Sequence, residues 1–253
     1  MVSKFHFPRG SAVWLLALGC LVTAHAAVDQ GLFTAILKTH VAEGHVDYTA
    51  LRTDPRLDTY LAQVAATDPA SATTRPEQLA FWINAYNAYT LKLIITHYPV
   101  ASIRDIPHPG VASPWDLPIA TVGGQSHTLN QIENDILRGR LKEPRIHYVI
   151  VCAAISCPPL RAEAYAADRL EAQFAEQARL FLTRQNKFDA QAHHAVLSSI
   201  FKWFATDFGS DTASVLRALA PFAPATATTS LASHPEKWTV AYHDYNWALN
   251  DRR

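Results

Sequence analysis

Charge of either sign is scarce in this chain. Lys and Arg number 22, Asp and Glu also number 22, and together they make up 17% of the 253 residues. Average domains carry about 25% charged residues. A nucleic-acid-binding surface is not expected, because phosphate contacts need clustered Lys and Arg. Intrinsic disorder is excluded, since 49% hydrophobic residues can bury enough surface to offset the loss of chain entropy.

Long apolar runs are also few. One lies near the N-terminus, from Ala12 to Val22, and it is far shorter than the roughly 20 residues that span a bilayer. Lys4 and Arg9 precede this run, and the small-residue pattern Ala24-His25-Ala26 follows it. This order is typical of a signal peptide with a basic start, an apolar centre and a cleavage site.

The predicted signal peptide covers residues 1–26 and leaves a single domain at residues 27–253. A lipoprotein signal ending at Cys20 is the alternative. We therefore expect a periplasmic or secreted protein with no stable membrane span after cleavage. Its partner would be a substrate or a protein of the cell envelope, and neither can be identified from the sequence.

Several common functional motifs are missing. There is no Gly-rich phosphate loop, no Gly-x-Ser-x-Gly and no Cys-x-x-Cys. The histidines at 40 and 45, and the pair at 193 and 194, lack the i, i+4 helical spacing of a metal site. We predict neither a metal nor a cofactor.

Apolar periodicity predicts a mainly helical α+β protein with a small mixed or antiparallel sheet, because helices and strands do not alternate regularly. The segment from Glu77 to His97 is apolar nearly all round, which is typical of a buried helix. Asn84 and Asn87 share one face of it. The other predicted elements are hairpins at 117–127 and 187–197, helices at 129–138, 162–182 and 198–208, strands at 146–151 and 238–242, and an exposed loop at 224–233.

Two ionisable residues stand out within these elements. Glu133 lies on the apolar face of the 129–138 helix, where a carboxylate must be paired, hydrogen-bonded or protonated. His147 interrupts an apolar strand and is a candidate general base. Either residue could instead serve only to satisfy buried hydrogen bonds.

The segment Cys152-Ala-Ala-Ile-Ser-Cys157-Pro-Pro is the third candidate. A thiol at a strand end before a helix can be activated by the free amides there. In an oxidising compartment, the same two cysteines can form a disulfide. On a regular strand, His147 and Cys152 would be about 16 Å apart and face opposite sides, so a Cys–His pair would need a bulge. His127 and His243 are other candidate partners for the thiol.

Several of these segments resemble domain-of-unknown-function family 547. The matching stretches are Val46-Asp47-Tyr48, Ala80-Phe81-Trp82-Ile83-Asn84-Ala85-Tyr86-Asn87-Ala88, Ile132-Glu133, Arg145 to Cys152, Ser156 to Leu160, Ile200 to Trp203 with Asp207-Phe208, and Tyr245 to Asn250. The resemblance implies an exported bacterial protein of no established activity, with a papain-like or transglutaminase-like fold. It marks Asn84, Glu133, His147, Cys152 and Cys157 as site candidates.

This chain departs from the family pattern around its first matched cysteine, where the family more often reads Asn-Cys-Gly. Val151 and Ala153 stand at those two positions. Losing the Gly restricts the backbone, and losing the Asn removes a donor that could hold an oxyanion. Both changes weaken the case for catalysis.

Two hypotheses follow. In the first, the protein is a thiol-dependent hydrolase or acyl transferase that acts on an amide or ester in the envelope. Cys157 or Cys152 is then the nucleophile, His147 the base, Glu133 the orienting carboxylate, and Asn84 an amide donor. In the second, the protein is a non-catalytic binding or scaffolding domain that contains a Cys152–Cys157 disulfide.

Overall fold

The computed structural model describes residues 1–2 and 28–252. Most of the predicted signal peptide lies outside the described residues, as does Cys20. The α-helices are α1 Gln30–His40, α2 Tyr48–Leu51, α3 Pro55–Ala66, α4 Arg75–His97, α5 Leu170–Gln185, α6 Ile200–Trp203, α7 Ala205–Phe208, α8 Thr212–Leu219 and α9 Ala225–Ser233. A π-helix spans Gln131–Arg140, and short 3-10 helices lie at Pro69–Ser71, Ile103–Asp105, Pro114–Asp116, Pro144–Tyr148, Ala220–Phe222 and Pro235–Lys237.

The strands are short. They are β1 Val41–Ala42, β2 His45–Val46, β3 Ala120–Val122, β4 Gln125–His127, β5 Lys187–Asp189, β6 His194–Ser198 and β7 Thr239–His243. The first four form two antiparallel hairpins, and the last three form one mixed sheet in the order β5–β6–β7. In that sheet β6 pairs antiparallel with β5 and parallel with β7, with Leu197 opposite Tyr242. The predicted α+β class, mainly helical with small sheets, is confirmed.

The long helix α4 lies in the hydrophobic core. A capping box between Thr74 and Glu77 starts it, with Pro76 in the first turn. The helix ends before Pro99, because the residue that precedes a proline disfavours helical backbone. Nearly every side chain from Leu79 to Ile95 is buried, as its all-round apolar pattern predicted. Within residues 28–252, no helix is long and apolar enough to cross a membrane.

The two amides on α4 hold neighbouring irregular backbone in place. The Asn87 side chain donates to the carbonyl of Val149 (3.0 Å) and accepts from the Val151 N–H (3.0 Å). Asn84 makes the same pair of bonds with the carbonyl and N–H of Tyr165, both at 2.8 Å. Each side-chain amide therefore satisfies one backbone carbonyl and one backbone N–H, as a neighbouring strand would do in a sheet.

The hydrogen bonds of Asn84 and Asn87 explain two differences between the predicted and the observed elements. The predicted strand at 146–151 is wrong: the chain forms a 3-10 helix at Pro144–Tyr148 and then an irregular segment, in which the Val149 carbonyl and the Val151 N–H bond to Asn87. The helix predicted from residue 162 begins only at Leu170, because the backbone of Tyr165 is bonded to Asn84.

Two further segments also differ from prediction. The stretch predicted as a loop at 224–233 is the helix α9, which fits the high helix propensity of alanine and the burial of Ala227 and Leu231. The helix predicted at 198–208 is divided into α6 and α7 at Phe204, whose backbone is not helical. The helix predicted at 129–138 is present with the wider turns of a π-helix.

Candidate functional site

Most of the predicted site residues line one cavity with a volume of about 220 Å³. It lies between the π-helix, the segment that follows the 3-10 helix Pro144–Tyr148, α6 and the chain after β7. Its lining residues are Tyr86, Trp115, Asn130, Glu133, Asn134, His147, Ile150, Val151, Cys152, Cys157, Pro158, Ile200, Trp203, Phe204, Tyr245 and Trp247.

Glu133 is the buried carboxyl group of this cavity. It is 9% exposed and accepts a hydrogen bond from the Tyr86 hydroxyl at 3.2 Å. Burial raises the pKa of Glu133 above its ordinary value, against the opposing effects of His147 and the Tyr86 hydrogen bond. Glu133 is therefore placed to hold a proton at a pH where ordinary glutamates have lost theirs. Its position on a π-helix is notable because π-helical turns are frequent at functional sites.

His147 is held by a carboxylate from a distant part of the chain. Its Nε2 lies 2.7 Å from Asp207 Oδ2. A carboxylate only accepts hydrogen bonds, so Nε2 carries a proton, and Nδ1 is the nitrogen that can accept a proton when the ring is neutral. The ring also stacks on Phe204, with centroids 4.1 Å apart. Both contacts fix the orientation of the imidazole, as an orienting carboxylate does in a catalytic dyad.

Asp207 is shared between His147 and Arg138. Arg138 Nε lies 2.6 Å from Oδ2, and Nη2 lies 2.8 Å from Oδ1. Burial alone would raise the pKa of Asp207, but the hydrogen bonds from His147 and Arg138 hold it well below its ordinary value. The pKa of Asp207 is therefore lowered, whereas the pKa of Glu133 is raised. Carboxyl groups whose environments shift their pKa values in opposite directions can take different roles in acid–base chemistry.

The two cysteines form a disulfide at the edge of the cavity. Cys157 is 4% exposed, whereas Cys152 is partly exposed. The Cys157 sulfur accepts the Cys152 N–H at 2.9 Å and the Tyr245 hydroxyl at 3.2 Å. The same hydroxyl is 3.2 Å from the Cys152 sulfur. Of the two states that the sequence allowed, a free thiol or a disulfide, the structure contains the disulfide.

Aromatic side chains from α6 and from the chain after β7 form a further part of the cavity wall. Trp203 and Trp247 stack with centroids 5.9 Å apart, and Tyr245 packs against both at 4.9 and 4.6 Å. Trp203 is 48% exposed, and the guanidinium of Arg104 lies over Trp247. An exposed aromatic surface beside buried polar groups is typical of small-molecule sites.

The structure brings four of the five predicted site residues together: Glu133, His147, Cys152 and Cys157. The predicted 16 Å separation of His147 and Cys152 assumed a regular strand, which the chain does not form: His147 lies in a 3-10 helix, and both residues line the same cavity. Asn84 does not line the cavity and instead bonds Tyr165 and Gln30.

The other candidate histidine partners also lie elsewhere. His127 packs against Trp82, and Nε2 of His243 faces the carbonyl of Gln185. Among residues 1–2 and 28–252, no three His, Cys, Asp or Glu side chains are clustered as metal ligands would be.

Sequence reasoning missed three members of the site: Tyr86, Asp207 and Tyr245. All three lie within stretches that resemble the family, but nothing in the local spacing of Asp207 or Tyr245 assigns a partner. Asp207 is 60 residues from His147, and Tyr245 is 93 residues from Cys152. Tyr86 lies one turn from two other aromatic residues on α4, so the sequence pattern could not distinguish a site tyrosine from one that only packs in the core.

Comparison with known protein families gives a match over part of the chain. Residues 70–182 match the family described as "Protein of unknown function, DUF547". This stretch belongs to the DUF547 family. The matched residues include Glu133, His147 and both cysteines, whereas Asp207 and Tyr245 lie beyond them. No curated protein and no solved structure matches the chain.

The backbone at Ala153 bears on the glycine that the sequence resemblance leads us to expect at this position. Its φ is 59°, in the left-handed region that favours glycine. The chain therefore keeps a glycine-type conformation with an alanine. At the other altered position, Val151, the backbone N–H is already bonded to Asn87 and is not free to bind an oxyanion.

Proposed function

We propose that the cavity is the active site of a thiol-dependent hydrolase or acyl transferase, which acts once the Cys152–Cys157 disulfide has been reduced. The observation that carries this proposal is the pair of His147 and Asp207, joined at 2.7 Å, in a cavity that both cysteines also line. A base oriented by a carboxylate, in the same cavity as a cysteine, is the set of groups that nucleophilic cysteine catalysis uses.

The assignment of roles follows from the contacts. Nδ1 of His147 takes the proton of the attacking thiol, because Nε2 is bonded to Asp207. Asp207 orients the imidazole, a role that the sequence had assigned to Glu133. Glu133, which burial favours in its protonated form, donates a hydrogen bond to the oxygen of the scissile carbonyl.

Cys152 is the preferred nucleophile, because it is partly exposed and Cys157 is not. Its thiolate attacks the carbonyl carbon of an amide or ester, and the amine or alcohol leaves with a proton from His147. The resulting thioester is then cleaved by water, which gives hydrolysis, or by another nucleophile, which gives transfer. The disulfide form has no free thiolate, so reduction must come first.

A second candidate function is supported by the disulfide itself. In a non-catalytic binding or scaffolding domain, the Cys152–Cys157 bond would hold the segment that lines the cavity. Glu133, His147 and Asp207 would then be a buried polar network that maintains the fold. The aromatic wall would bind a ligand without transforming it.

Acylation by an activated ester separates these candidates. The reduced protein is mixed with p-nitrophenyl acetate, and intact mass is followed with time. Catalysis predicts one acetyl group on Cys152, no such adduct in Cys152→Ala, and at least a hundredfold slower acylation in His147→Ala. His127→Ala is the matched control, because His127 lies outside the cavity. Equal acylation of all four proteins would exclude the catalytic proposal.

We further propose that the protein is exported and that residues 27–253 are its mature domain. The support is the order of basic, apolar and small residues over positions 1–26. Intact mass of the protein from the periplasmic fraction tests this: cleavage after Ala26 is expected. A lipid-modified start at Cys20 would favour the alternative signal, and a full-length chain in the cytosol would contradict export.

A further inference from the structure

The two sulfurs of the disulfide are in different environments. Cys152 is partly exposed at the cavity edge, whereas Cys157 is 4% exposed. An external thiol in the cavity therefore reaches the Cys152 sulfur more readily than the Cys157 sulfur. Thiol–disulfide exchange depends strongly on which sulfur can be attacked.

The buried sulfur also has one hydrogen-bond donor that the other sulfur lacks. Cys157 Sγ accepts the backbone N–H of Cys152 at 2.9 Å, and the hydroxyl of Tyr245 lies 3.2 Å from both Cys157 Sγ and Cys152 Sγ. Hydrogen bonds of this kind stabilise a thiolate more than a thiol, and a stabilised thiolate leaves faster. Burial raises the pKa of Tyr245 above its ordinary value, so the hydroxyl keeps its proton and remains a donor.

We infer that Cys152–Cys157 is an exchange-active disulfide: a low-molecular-weight thiol enters the cavity and attacks Cys152, and Cys157 leaves as a thiolate held by Tyr245 and the Cys152 amide. A small thiol is the expected partner because the cavity volume is about 220 Å³, too small for a folded protein to enter. The inference does not depend on the proposed hydrolase activity, since it uses neither His147 nor Asp207.

The exchange has two steps, and each step breaks one S–S bond and forms another. The external thiolate forms a bond to Cys152 Sγ, the Cys152–Cys157 bond breaks, and its electron pair passes to Cys157 Sγ. A second external thiolate then attacks the sulfur of the first, which releases a small-molecule disulfide and the Cys152 thiolate. The two protein thiolates take up the two protons that the external thiols lost to solvent. Overall, two thiols are oxidised and one protein disulfide is reduced.

The first experiment follows reduction of the native protein by reduced glutathione, with free thiols and intact mass as readouts. We expect a mixed disulfide with glutathione and then two free thiols, without denaturant. Replacing Tyr245 by Phe removes one hydrogen bond to the leaving sulfur, so Tyr245→Phe should react roughly tenfold more slowly. Tyr242→Phe is the matched control, because Tyr242 lies on β7 and does not line the cavity.

The second experiment identifies the attacked sulfur. In Cys157→Ser only Cys152 remains, and in Cys152→Ser only Cys157 remains. Oxidised glutathione should form a mixed disulfide with the first variant at least tenfold faster than with the second. Thermal unfolding of each variant checks that the fold persists, and any variant that does not fold is replaced by its alanine counterpart.

Three results would overturn the inference. One is a disulfide that glutathione opens only after denaturant is added. Another is the same rate for Tyr245→Phe and the unaltered protein, and the third is equal reactivity of the two single-cysteine variants. Because these assays contain no ester or amide substrate, they can succeed or fail whatever the outcome of the acylation experiment.

Discussion

Replacing Asp207 by Asn tests whether the shared carboxylate holds the site together. Asp207 is bonded to Arg138 through both oxygens, at 2.6 and 2.8 Å, and to His147 at 2.7 Å. Its side chain is 18% exposed and that of Arg138 is 26% exposed. The substitution keeps the shape but removes the charge, and it leaves the guanidinium without its counter-ion in a partly buried place.

The expected loss in the free energy of unfolding is about 2 kcal/mol. Removing one partner of a fully buried pair costs about 3–5 kcal/mol, whereas exposed pairs contribute about 0–1 kcal/mol, and this pair lies between those limits. For a chain of this size, the loss corresponds to a fall of roughly 4–8 °C in Tm. Urea and thermal unfolding at pH 7, with the disulfide intact in both proteins, measure it.

Asp58→Asn is the matched control for that variant. The Lys92 to Asp58 ion pair has a length of 2.6 Å, as short as the Arg138 contact, but its side chains are 37% and 66% exposed. We expect this variant to lose less than about 0.5 kcal/mol. Similar losses for Asp58→Asn and Asp207→Asn would refute the reasoning, because burial would then not determine the strength of the pair.

The same variant has a defined pH dependence. The folded-state pKa of Asp207 lies below the ordinary value of 3.8, so its ionised form stabilises the folded protein above that pH. This contribution falls as pH drops from 3.8 through the lower folded-state value. The stability difference between the unaltered protein and Asp207→Asn should therefore be constant near pH 7 and shrink below pH 4. A difference that grows on acidification would contradict the assignment.

Three further predictions concern other parts of the site. Asn87→Ala should lower the free energy of unfolding by about 2–4 kcal/mol in urea titrations, because it leaves a buried carbonyl and a buried N–H without partners; a loss below about 1 kcal/mol would show that these two hydrogen bonds do not hold the segment. Glu133→Gln should be more stable than the unaltered protein at pH 7 but not at pH 4, because a raised folded-state pKa costs stability as pH rises above the ordinary 4.5. A pH-independent difference in urea midpoints would contradict this. Ala153→Gly should stay within about 0.5 kcal/mol of the unaltered protein in thermal unfolding, since relief of the left-handed backbone offsets the flexibility of glycine. Ala154→Gly, where φ is not positive, should lose about 1 kcal/mol, and equal losses would refute the argument.

Local patterns in the sequence were enough to predict several parts of this protein. The apolar periodicity of α4, the glycines of the β3–β4 hairpin and the position of Glu133 on an apolar helix face all involve residues close together in the chain. The same is true of the two cysteines, whose pairing alternatives were limited by their number. For the two helices, a repeat of about four residues carries the information.

Tertiary structure decided the rest. The segment after His147 has the composition of a strand, but the side chain of Asn87 on α4 takes up its backbone hydrogen bonds, so it joins no sheet. His147 is hydrogen-bonded to the carboxylate of Asp207, 60 residues later in the chain. The hydroxyl that lies against the disulfide comes from Tyr245, which is also distant in the sequence. Spacing along the chain carries no signal for such contacts, because they depend on how separate elements pack. The sequence by itself therefore determined which residues could act, and packing determined which of them meet.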